Sequence, residues 1–77
     1  MNSNVKIQFN VGDLIKFRSI PFEGWAYVSS VGKLNDHKII KVTSLTNPNR
    51  TSICDPGTIS RYISNETVQY VPVIRIN

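Results

Sequence analysis

The sequence predicts an all-β fold: a small antiparallel barrel of five to six strands with one short helical turn near 58–63. Three observations predict it. Apolar and polar residues alternate in several short runs, the period of a half-buried strand, and no helical period outlasts one turn. Clusters of Asn, Asp, Gly and Pro recur every ~8–12 residues, the punctuation of a small barrel or sandwich. With 77 residues the chain makes one domain, which buries only about 60–65% of its unfolded surface. Closing the sheet would remove the exposed edges that so small a core can least tolerate.

Residues 1–4 are polar and expected to be disordered, and residues 5–77 form the single domain. Residues 5–9 (VKIQF) alternate as a first strand, and Asn10-Val11-Gly12-Asp13 is turn chemistry, because Gly and Asn accept positive φ. Residues 14–19 make a strand with Ile15 and Phe17 on one face and Lys16 and Arg18 on the other, where Leu14 caps one end of the core. Pro21-Phe22-Glu23-Gly24 interrupts, and residues 25–31 resume, with Trp25, Tyr27 and Val31 on one face and Ala26 and Val28 on the other. Residues 32–36 form a hairpin-like loop around Asn35-Asp36. The clearest strand is 37–46, β-branched almost throughout; Asn47-Pro48-Asn49-Arg50 then turns the chain into a short strand at 51–54. After Asp55-Pro56-Gly57 comes the helical turn, with Thr58 as N-cap and Ile59, Tyr62 and Ile63 inward. The last strand is 68–76, with Val68, Tyr70, Pro72, Ile74 and Ile76 on one face and Gln69, Val71, Val73 and Arg75 on the other. Pro72 has no amide donor, so this strand is an edge or carries a bulge. An SH3-like barrel fits this series first and an OB-like barrel second.

Two families share parts of this pattern. The run from Gly12-Asp13 through the alternating residues 14–19 to Pro21-Phe22 and Trp25 resembles the start of a KOW domain, a module of transcription elongation and ribosomal proteins. The family's second strand would fall at 27–31, with Tyr27 where it carries its signature glycine, and its third at 39–45. Gly12-Asp13, Ser19, the spacing of Trp25 and Gly32, and the ending Val68-Gln69, Pro72-Val73 and Arg75-Ile76-Asn77 are similar to the type II, plasmid-type dihydrofolate reductases. Those are tetramers of SH3-like barrels whose pore takes folate and NADPH. Their active-site run, Val-Gln-Ile-Tyr, stands here as Val68-Gln69-Tyr70-Val71, so Gln69 alone carries over; their pore lysine falls on Phe17.

Composition excludes several classes. Hydrophobic residues make up 40% and charged residues 18%, the balance of a globular chain. One cysteine, Cys54, makes no internal disulfide, and with the single His37 it makes no structural zinc site. The first ten residues lack the apolar core of a signal peptide, and no run of ~18 apolar residues occurs. The expected setting is therefore the cytoplasm, with no membrane association, and the richness in Asn, Ile, Lys and Ser suggests an AT-rich genome such as a phage. Catalytic chemistry is thinly supplied: Asp36 and His37 are neighbours that face opposite ways in extended chain, and Cys54 reads as a small buried hydrophobe. Asp13, Glu23, Asp36, Asp55 and Glu66 all fall in or beside turns, where they cap or meet solvent. No enzyme activity, cofactor or metal is expected.

Binding is better supplied. Nine Lys and Arg against five Asp and Glu give a net charge of +4, which favours polyanionic partners. The expected function is a non-enzymatic module that binds nucleic acid or a nucleic-acid-processing protein. Lys16, Arg18, Lys38 and Lys41 would supply charge, and Phe22, Trp25 and Tyr27 aromatic contact. Trp25 and Tyr27 could equally fill the core, and Lys38 and Lys41 have opposite parity, so a single basic stripe requires a bulge. The alternative is a small regulator or inhibitor docking on a protein, or on a second copy of itself, through Val71 and Val73 of the apolar final strand. A diverged reductase with Gln69 in a tetramer pore is the third reading.

Overall fold

Alternation of apolar and charged side chains over LIKFRS gives β1 (Leu14–Ser19), whose Ile15 is fully buried. The computed structural model describes residues 7–19 and 22–74. Expectations that fall on residues 1–4, Val5, Lys6, Pro21, Arg75 and Ile76, and on the side chains of Phe22 and Glu23, lie outside the described residues. β2 (Phe22–Leu34) pairs antiparallel with β1, then with β3 (His37–Ser44). β4 (Thr51–Cys54), α1 (Pro56–Ser64) and β5 (Gln69–Val71) complete the chain. The five strands form one antiparallel sheet in the order β4-β3-β2-β1-β5.

This is a small, barrel-like all-β fold with one short helix, but the sheet stays open. Among the described residues, β4 and β5 are its two edges and do not pair with each other. The reason is local: β5 pairs over only three residues before Pro72, which has no amide to donate, takes it off the ladder. The core lies on one face of the sheet. Ile15, Ala26, Val28, Ile40 and Val42 meet Ile59 of α1, Phe9 and Val68 there, with Phe17, Ile63 and Tyr70 packed around them. None of the described helices is long and apolar enough to cross a membrane.

Several expectations need correction. Ile7 to Phe9 is not a strand: the Ile7 amide donates to Ser60 Oγ on α1 at 3.4 Å and Phe9 packs edge-on against Tyr70, with ring centroids 5.4 Å apart. Gly32 to Leu34 belongs to β2 and not to a loop, because pairing with β3 runs to Leu34 and His37. The turn itself is the two-residue Asn35-Asp36, with φ of 51° and 66°, the positive pair that a type I′ hairpin needs. α1 begins earlier than expected: Asp55 is its N-cap, Pro56 enters the first turn, and Thr58 donates both its amide and its hydroxyl to Asp55 Oδ2. Tyr62, expected inward, is exposed. The final strand, expected over 68–76, stops at Val71, and Ile74, expected on one strand face with Val68 and Tyr70, is 84% exposed beyond its end.

Candidate nucleic-acid interface

Cross-strand partners in an antiparallel sheet share a face, so the register places every candidate side chain. Ala26 faces Ile15 and Val28 faces Val42, which puts the alternate β2 residues Trp25 and Tyr27 on the face away from the core. The sequence left Trp25 and Tyr27 open between core and surface; both are half-buried and neither joins the core cluster. Their small neighbours Ala26 and Val28 take the core positions instead.

Two rows of partners define this outer face. Trp25, Lys16 and Gln69 run across β2, β1 and β5. Thr51, Thr43, Tyr27, Leu14 and Val71 run across all five strands. The Lys16 ammonium lies over the Trp25 ring, with Nζ 5.9 Å from the centroid, a cation–π distance. Arg18 stands on the same face one side-chain row beyond Lys16, and Lys41 one row beyond Tyr27 in the opposite direction. The basic groups thus flank the two rings over four rows, about 20 Å along the strands.

Lys38 does not join them. It pairs with Lys33 at the hairpin end and shares the parity of Ile40 and Val42, so it lies on the core side of the sheet. There it borders a cleft of about 520 Å³ with His37, Asp36 and Asp55. The bulge that the basic stripe required does exist, but on β2, between Val28 and Ser30, not on β3. Ser29 stabilises it by donating to the Lys41 carbonyl at 3.2 Å and accepting from Thr43 Oγ1 at 2.9 Å. Its effect is to turn Val31, expected beside Trp25 and Tyr27, onto the Ile40 side.

Val71 and Val73, the candidate protein-contact pair, are separated by the end of β5. Val71 is exposed on the outer face beside Leu14. Val73 is half-buried, with a methyl group packed over Gly12, and its amide donates to Asp13 Oδ1 at 2.8 Å. Gln69 and Tyr70 point to opposite sides of β5, Gln69 outward and Tyr70 against Phe9. The Tyr70 hydroxyl donates to Asp13 Oδ2 at 2.8 Å; burial first, then this bond and the carboxylate charge, pushes its pKa up to about 12. Burial also raises the Cys54 thiol above its usual value, with a smaller opposing effect from Ser52, as suits a side chain packed against the core.

Two features escaped the sequence reading. Asp13, expected to cap a turn or meet solvent, is fully buried as the shared acceptor of three donors. A cleft of about 540 Å³ also opens beside Trp25 and Arg18, bounded by Gln69 and Val71 of β5 and by Ile63 and Glu66 around the end of α1. No family model matches this chain, and neither a curated protein nor a solved structure matches it.

Proposed function

We propose that this chain is a non-enzymatic nucleic-acid-binding module that works through the outer sheet face. The observation that carries the reading is the grouping of Lys16, Arg18 and Lys41 around Trp25 and Tyr27 on one face, with Lys16 lying over the Trp25 ring. Cations neutralise phosphates, and partly exposed rings take unstacked bases; the two groups stand side by side. The open antiparallel sheet is compatible with the SH3-like class, within which the KOW-like opening would place the chain among nucleic-acid-processing assemblies. The test is a binding titration with a mixed-sequence oligonucleotide between about 50 and about 200 mM salt. Binding that weakens steeply with salt supports the reading; no shift at the low-salt end overturns it.

A protein-docking regulator is the second reading. What favours it is the exposed Val71 on the edge strand β5, close in sequence to the exposed Ile74. Nuclease-resistant recovery of one stoichiometric partner, lost on Val71→Asp, would support it over the first.

A further inference from the structure

We infer that the cleft beside Trp25 seats one unstacked base, so that the preferred ligand is single-stranded nucleic acid and not duplex. The inference rests on the nucleic-acid reading above and narrows it. The cleft volume of about 540 Å³ falls within the range of small-ligand sites, which suits one nucleotide and is far too small for a duplex. Its wall combines three chemistries. Trp25 offers an aromatic ring, from whose face an arriving base displaces the Lys16 ammonium; Gln69 offers a donor and an acceptor to a base edge, and Arg18 offers a cation to the attached phosphate.

The three come together because of register. Trp25 and Gln69 both pair with Lys16, one on each side, and Arg18 follows Lys16 on the same face. The sheet face offers a duplex less. Bases within a duplex stack on one another, so a ring held against a sheet cannot slide between them without unstacking energy. Entry into a major groove needs a protruding helix or ribbon: α1, the helix among the described residues, packs against the core side through Ile59, and the exposed β2–β3 ribbon beyond Val31 and Ile40 lies at the opposite end of β2 from Trp25. Charge alone would serve either form; the ring and amide in the cleft serve only the free base.

Trp25 is the sole tryptophan of the chain, so its fluorescence reports the cleft directly. A ~10-nucleotide mixed-sequence strand and its duplex are titrated at equal low salt, following both fluorescence and anisotropy. The single strand is expected to quench Trp25 and bind at least about tenfold more tightly, the effect of one stacked base. Trp25→Ala should remove most of that advantage, so that the two forms bind with nearly equal affinity. Gln69→Ala, an exposed position that leaves the core intact, should reduce it several-fold. Equal affinity for both forms without quenching overturns the cleft assignment and leaves the nucleic-acid reading standing. Absence of binding to either form overturns both.

Discussion

Three donors converge on the Asp13 carboxylate: the Asn10 amide at 2.9 Å, the Tyr70 hydroxyl at 2.8 Å and the Val73 amide at 2.8 Å. One side chain therefore closes its own turn and ties down the segment that leaves β5. Asp13→Ala strands two distant donors and should cost about 2–4 kcal/mol in urea denaturation. That is a large share of the ~4–12 kcal/mol expected for a chain of this length. Tyr70→Phe removes one of the three bonds and should cost about 1–2 kcal/mol. The Tyr70 proton also sets an alkaline limit. Its pKa, pushed up to about 12, exceeds the ordinary value of about 10, so the native state holds the proton where the unfolded chain loses it. The stabilisation is complete below about pH 10 and is lost as pH rises towards about 12. Melting temperatures across that window should fall more steeply for the wild type than for Tyr70→Phe. Nothing in the sequence disclosed this clasp, because Gly-Asp before a strand reads as a turn and the distant partners lie 57 and 60 residues away.

Strands and turns were legible where local chemistry decides them. The bounds of β1 follow from alternation and those of β4 from the turn residues on either side, while β2 outran its expected end because pairing with β3 overrode the Gly32 signal. Asn35-Asp36 was recognisable as a hairpin turn, and its geometry yields a prediction. Asp36 sits at φ of 66°, where a side chain is strained and glycine is not, so Asp36→Gly should stabilise by up to about 1 kcal/mol. A rise in the urea midpoint without a change in m-value would check it. The start of α1 was misassigned from Asp55 to Thr58 because both residues are cap formers and Thr58 itself bonds to the true cap. Asp55→Ala should lower the melting temperature by a few degrees. The Thr58 hydroxyl bond, ahead of smaller contributions, holds the Asp55 carboxyl below its usual range. That contribution is present above the ordinary carboxylate range and fades as pH falls through the depressed value, a trend Asp55→Ala should lack.

On the scale of the whole molecule, a net charge of +4 says nothing about where a polyanion would lie. Sequence parity separated Lys38 from Lys41 but could not say which joins the rings; that depended on β3 register against Tyr27 and on which face meets α1. The outcome gives a test that net charge cannot imitate. Lys38→Gln and Lys41→Gln remove the same charge from the same strand, so any long-range attraction changes equally. Only Lys41 lies beside the aromatic rows, whereas Lys38 shares a cleft with Asp36 and Asp55 on the other side. With Lys16, Arg18 and Lys41 each meeting one phosphate of a single strand, the slope of log affinity against log salt should be about −2. Lys41→Gln should make it shallower by about 0.7, while Lys38→Gln leaves it unchanged. Equal loss in the two variants would mean that binding follows overall charge and that the face around Trp25 has no special part in it.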